Sequence, residues 1–196
     1  MGFLNEWLVF ALILFVIWLV IFIFNKKVRK EMIWASILTM LFGLTEPFFV
    51  PEYWSPPSLF NLALRTGFDI ESLIFCFAVG GIGVSLYEFR KLKHVKMSNK
   101  EIHMKRHRFH SLVLSSLPIV FLLLFFLTDI NPIYSSFIAM GIFAIGSLLC
   151  RPDLKKKMFW SGFLFLGIYF LFFLSFNLAY PYAVERFWNL SAIEIS

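Results

Sequence analysis

Charge is what this chain has little of: 15% of its 196 residues are Asp, Glu, Lys or Arg, against 60% hydrophobic side chains. That balance excludes a soluble globular domain of ordinary composition. The two cysteines, Cys76 and Cys150, fall in or at the ends of apolar stretches, which argues against a disulfide framework or a thiolate zinc site. Those stretches lack the period-2 alternation of a membrane barrel, and several reach the roughly 20 residues that a helix needs to cross a ~30 Å hydrocarbon layer. The fold class is therefore all-α, a polytopic transmembrane helical bundle. No lysine lies inside an apolar span, so a Schiff-base photoreceptor is disfavoured. The mid-membrane charges and broken helices of a transporter are missing as well. Neither aromatic-interleaved basic repeats nor a nucleic-acid fold motif is present. The net charge of +6 lies in the loops, where it reads as an orientation signal and an attraction to anionic headgroups.

What is present divides into six predicted spans, over residues 3–24, 32–44, 70–89, 112–127, 133–149 and 158–178. No Lys or Arg precedes the first span and no small-residue cleavage site follows it, so it reads as an uncleaved anchor. The loops over 25–30, 90–110 and 151–157 are basic and belong on the cytoplasmic side, whereas the outer segments are nearly free of Lys and Arg. A multi-pass protein of the cell membrane with both termini outside is self-consistent with that pattern. The 27 phenylalanines suit lipid contact or a pocket for a long apolar ligand, and composition does not separate the two. Ala78, Gly81 and Ser85 form a small-residue stripe on the third span, which lets a neighbouring helix approach closely.

Carboxylates stand at the lip of that third span, in Gly67-Phe68-Asp69-Ile70-Glu71-Ser72. An acid at hydrocarbon depth costs about 2.5–3.5 kcal/mol on insertion scales, so a chain that carries one usually uses it or pairs it. Glu88 lies 17 residues beyond Glu71, roughly 25 Å along the helix, and pairs more naturally with Arg90 or the inner-loop lysines. His103, His107 and His110 share one face if the linker is helical. Embedded among Lys and Arg, they read as a solvated or interfacial basic linker rather than as metal ligands.

An internal echo organises the rest. Lys30-Glu31-Met32-Ile33-Trp34-Ala35-Ser36 resembles Lys156-Lys157-Met158-Phe159-Trp160-Ser161-Gly162, and Pro51-Glu52-Tyr53-Trp54 is answered by Val184-Glu185-Arg186-Phe187-Trp188. The expected organisation is tandem. Residues 1–90 form a first three-helix repeat, 91–131 a basic cytoplasmic linker and connector helix, and 132–196 a second, incomplete repeat that stops at Ser196 before its third helix.

A three-helix repeat with a proline- and aromatic-rich outer segment, followed by an acidic motif that opens an apolar helix, resembles the lycopene cyclase domain family of integral membrane carotenoid cyclases. Tyr53-Trp54, Phe68-Asp69-Ile70-Glu71-Ser72-Leu73-Ile74-Phe75, Tyr87-Glu88 and the outer tail 184–190 carry the likeness. The family hallmark, Pro-x-Glu-Glu or Pro-x-Glu-Asp, here reads Asp69-Ile70-Glu71-Ser72, with Glu71 kept and the second copy absent. The resemblance implies an intramolecular lyase or isomerase that folds the linear end of lycopene into a β-ionone ring without net redox change and without a cofactor. Its partners would be the bilayer, anionic headgroups, a long polyene, and a homo- or hetero-oligomer. A non-catalytic protein of the same fold, serving as partner subunit, carotenoid binder or degenerate copy, is the second reading.

Such chemistry asks for an acid with a raised pKa, a carboxylate base and aromatic faces for a cation. On the resemblance, Asp69, Glu71, Glu46, Glu52 and Glu185 are the candidate acids, and Tyr53, Trp54, Phe68, Phe75 and Trp188 the candidate walls. Asp69 and Glu71 are two apart and so point about 200° from one another around a helix. Asp69 fits the cap. Glu71 is then the better candidate for catalysis, the alternative being an interfacial acid in a first helical turn; for Glu46, Glu52 and Glu185 the alternative is a solvated loop.

Overall fold

A computed structural model describes residues 5–88, 109–152 and 155–193. The linker that carries His103 and His107 lies outside the described residues, as do the side chains of Glu88 and His110. Among the described residues the chain is helical with no named strand. Helix α1 is Glu6–Phe24, opened by the Asn5 side chain, which accepts from the Leu8 N–H at 2.6 Å. Helix α2, Arg29–Met40, tightens directly into a 3-10 segment, Leu41–Phe48, that contains Pro47. A proline has no N–H for the helical ladder and clashes with the preceding turn, so α2 does not continue as α-helix.

The short α3, Leu62–Thr66, ends at Gly67, whose φ of +77° suits a residue without a Cβ. Helix α4, Ile70–Glu88, then leaves at 93° to the Leu59–Thr66 stretch. The remaining helices are α5, His110–Leu127, α6, Pro132–Cys150, α7, Lys155–Ala179, and the short α8, Ala183–Phe187. Each expected span coincides with a helix, yet they differ in reach. Glu6–Phe24, Pro132–Cys150 and Met158–Ala179 are each long and apolar enough to cross a membrane, and Leu59–Thr66 with Ile70–Leu86 adds a fourth if the bent pair is one span. Ser111–Leu127 is a shorter apolar helix. The 12 residues of α2 cover only about 18 Å at 1.5 Å per residue, short of a ~30 Å core. These apolar helices are those of a membrane-associated protein.

The chain divides into two compact units, Met1–Leu92 with Ser161–Ser196, and Lys93–Trp160. The division joins the end of the expected second repeat to the first. In the larger unit, Leu14 and Trp18 of α1, Val28 and Met32 around the start of α2, and Ala78 and Ile82 of α4 form one buried cluster. The small-residue stripe of α4 faces inward, with Ala78, Gly81 and Ser85 all buried. The Trp18 indole N–H donates to Ser36 Oγ at 2.9 Å, and Gly81 sits directly against that pair. Phe10, Phe176, Ala183 and Phe187 make a second cluster, in which the Phe10 and Phe176 rings lie 4.0 Å apart. In the smaller unit α5 and α6 form an antiparallel hairpin. Asn131 caps α6 by accepting from the Ile133 N–H at 2.9 Å, with Pro132 in the first turn.

A Cβ on Gly81 would overlap the Trp18 indole and lie 2.5 Å from Ser36 Oγ, whereas one on Gly162 would meet nothing within 4 Å. Gly81→Ala should therefore destabilise the protein by about 1–3 kcal/mol through overpacking. Thermal unfolding in detergent should show a lowered midpoint for Gly81→Ala and an unchanged one for Gly162→Ala.

Candidate functional site

The turn at Gly67 sets the start of α4, and Asp69 Oδ1 accepts from the Ser72 N–H, satisfying one of the free donors at the helix head. Glu46 reaches the same point from the 3-10 segment. Its Oε2 accepts from the Asp69 N–H at 2.9 Å, and its Oε1 from Ser72 Oγ at 2.7 Å and Trp54 Nε1 at 3.3 Å. Glu71, in the first turn of α4, turns elsewhere: its Oε1 accepts from Asn5 Nδ2 at 2.8 Å and from the Leu59 N–H at 2.7 Å. One oxygen thereby joins the head of α1, the outer segment and α4.

Burial of the three carboxylates is nearly complete, with 6% of Glu46, 2% of Asp69 and none of Glu71 exposed. Among the described residues the hydrogen-bond donors that reach them are all neutral, and Asp69 Oδ2 and Glu71 Oε2 are buried with no partner there. Burial pushes the Glu46 carboxyl up from an ordinary 4.5 to about 7; the Ser72 hydroxyl opposes that rise and the Asp69 carboxylate adds to it.

Aromatic rings wall this acid cluster. Trp54 stands edge-on to Trp7 at 5.2 Å, and its ring lies 4.7 Å from Trp188 and 5.9 Å from Phe187. Trp7 also meets Phe75 at 5.0 Å, and its Nε1 donates to Ser72 Oγ at 3.4 Å. The main chain ties the rim together: Trp54 and Trp188 form an isolated antiparallel bridge, with Ser55 N–H donating to Phe187 O at 2.8 Å and Asn189 N–H to Tyr53 O at 3.1 Å. Arg186 closes the tail onto α1 through an ion pair with Glu6 at 2.8 Å.

Of the acids expected from the sequence, Asp69, Glu71 and Glu46 are brought to the N-terminal end of α4, and Asp69 does cap. Glu46 is buried, so the solvated-loop alternative does not describe it. Glu52 and Glu185 are exposed and stand outside the buried set. Trp54, Phe75 and Trp188 belong to the aromatic wall, and Tyr53 is buried beneath it. Phe68 is 40% exposed. Sequence reasoning passed over Asn5 and Trp7. The available signal was a cap residue opening an apolar run, with an aromatic residue two positions on.

Among the described residues no group of three His, Cys, Asp or Glu is placed to hold a metal ion. The class defined by this geometry is an all-helical, membrane-associated protein with uncompensated acids buried beside aromatic rings. Residues 131–194, about a third of the chain, match the family model described as Lycopene cyclase, in agreement with the lycopene cyclase domain resemblance. The match supports a cyclase-like carotenoid protein. It includes Phe187 and Trp188 of the aromatic wall and does not extend to Glu46, Asp69 or Glu71. No curated protein and no solved structure matches the chain.

A carboxyl whose pKa is higher folded than unfolded binds its proton more tightly in the native state, so its stabilisation is complete below the unfolded value and is lost as pH rises through the folded one. For Glu46 that window runs from 4.5 to about 7. Chemical or thermal unfolding in detergent should show stability falling across this window, with a shallower fall in Glu46→Gln.

Proposed function

We propose that this protein is a membrane carotenoid cyclase that closes the linear end of a lycopene-like polyene into a β-ionone ring by acid/base chemistry. The burial of Glu71, Asp69 and Glu46 beside Trp7, Trp54 and Phe75 is the observation that carries this reading. In this reaction a carboxylic acid of the cluster delivers its proton to a terminal double bond. The cation then attacks a second double bond to close the ring, and a carboxylate removes a proton to leave the cyclic alkene. Proton gained and proton lost balance, and no electrons are exchanged.

Glu71 is the candidate proton donor, because Asp69 Oδ1 is committed to capping and Glu71 Oε2 is buried without a partner. Asp69 supplies the nearby base. The indole faces of Trp7 and Trp54 provide the negative quadrupole that stabilises a developing cation. In the same reading the helices make six spans of the cell membrane in tandem repeats with both termini outside. The basic linker meets anionic headgroups, and the protein assembles as a homo- or hetero-oligomer.

Expression in lycopene-accumulating cells tests the reading. The wild type should convert lycopene to γ- or β-carotene, and Glu71→Gln should lower conversion by about a hundredfold or more at equal protein level. Persistence of lycopene with folded wild type in the membrane would leave the non-catalytic alternative standing instead.

A further inference from the structure

Three buried carboxylates meet only neutral donors here, yet they differ in what those donors can do. Asn5 Nδ2, Trp54 Nε1 and the backbone N–H groups of Leu59, Asp69 and Ser72 only donate. A hydroxyl both donates and accepts. Among the described residues the one hydroxyl bonded to the carboxylates is that of Ser72, 2.7 Å from Glu46 Oε1. When Glu46 is ionised, Ser72 Oγ–H donates to it. When Glu46 carries a proton on Oε1, the hydroxyl rotates and accepts that proton's hydrogen bond, while Trp7 Nε1, 3.4 Å away, continues to donate to Ser72 Oγ. Both protonation states of Glu46 are thus supplied with partners, the Asp69 carboxyl also lying within its side-chain hydrogen-bonding reach; among the described residues Glu71 keeps one oxygen bonded only by donors and one with no partner.

Position singles out the same residue. Glu46 stands on the 3-10 segment outside the long apolar helices, and it is the most exposed of the three. We propose that Glu46, acting through the Ser72 hydroxyl, is the member of the cluster that exchanges protons with the outer aqueous phase, a positioning residue that sets the charge of the site. Only a proton moves, from water or buffer to the carboxylate and back. The groups that face Glu46 are Asp69 and Ser72 at the head of α4, Trp54 from the outer segment, and Cys76 one turn further along α4. From α1, Asn5 and Trp7 bring uncharged donors to the same cluster. The raised Glu46 pKa puts the exchange near neutrality. The consequence for turnover rests on the cyclase reading, whereas the proton assignment does not.

Infrared titration of the purified full-length protein in lipid nanodiscs separates the two. The wild type should show a protonated-carboxyl component that disappears with a midpoint of about 7. That component, distinct from any band kept by Asp69 or Glu71, should be missing in Glu46→Gln; its midpoint should move upward in Ser72→Ala, where the ionised form loses a donor, and Ser72→Thr should restore it. Survival of the same component in Glu46→Gln, or a midpoint equal in Ser72→Ala and wild type, would overturn the assignment. If Glu46→Gln does not fold, the Ser72→Ala and Ser72→Thr pair decides alone. In parallel, lycopene conversion is followed against pH. Glu46→Gln should flatten the pH profile, whereas loss of a merely structural residue would lower conversion equally at every pH and would overturn the role in turnover. A wild type that converts no lycopene removes the cyclase reading and leaves the infrared result to judge the proton assignment.

Discussion

Three carboxylates are withdrawn from water at the N-terminal end of α4, and among the described residues every hydrogen-bond donor that reaches them is neutral. An ionised carboxylate in such a place loses several kcal/mol of hydration that only a cation or strong hydrogen bonds can return. Much of the local architecture follows from that constraint. Gly67 turns the chain so that Asp69 can cap α4, and the 3-10 segment brings Glu46 across to the Asp69 N–H and the Ser72 hydroxyl. Asn5 and Leu59 arrive from two further segments to supply one oxygen of Glu71. Donors without charge offset only part of the cost of burying these carboxylates, and burial holds the Glu46 carboxyl above its ordinary range.

The aromatic wall shares that task. Trp7 and Trp54 each use the ring to fill space beside the acids and the indole N–H to bond into the polar cluster. Rings that pack edge to face exclude water while presenting polarisable faces. The same pair of residues therefore raises the energetic stakes of ionisation and, in the proposed cyclase reading, offers the surface on which a cationic polyene would be held.

Local pattern made much of the fold readable. The apolar runs marked the long helices, the Asn131-Pro132 pair opened α6 at the expected turn, and the Asp69 cap followed from a short acid ahead of an apolar run. Helices apolar on nearly every side show no preferred face, so which residues turn inward was not readable from periodicity. The stripe of Ala78, Gly81 and Ser85 was the exception, because small side chains mark close approach whatever the surrounding polarity. Glu46 stayed ambiguous, since its burial depends on Ser72, 26 residues away. The partnership of Asn5 with Glu71 spans 66 residues, and no local signal announces it. The two Trp-containing outer segments were recognised as an echo of one another; that Trp54 and Trp188 lie side by side in an antiparallel bridge was not legible from their likeness.

That bridge has a bearing on how the protein comes into being at the ribosome. The Asn5, Leu59 and Glu46 contacts to α4 involve only residues that emerge in the first half of synthesis, whereas Trp54 waits for Phe187 and Trp188 to be translated before its outer side is covered. A nascent chain can thus bring its acids together before the residues that cover Trp54 exist. Phe187 and Trp188 follow α5, α6 and α7 in the order of translation, so the cover over the acids arrives after those helices have been made.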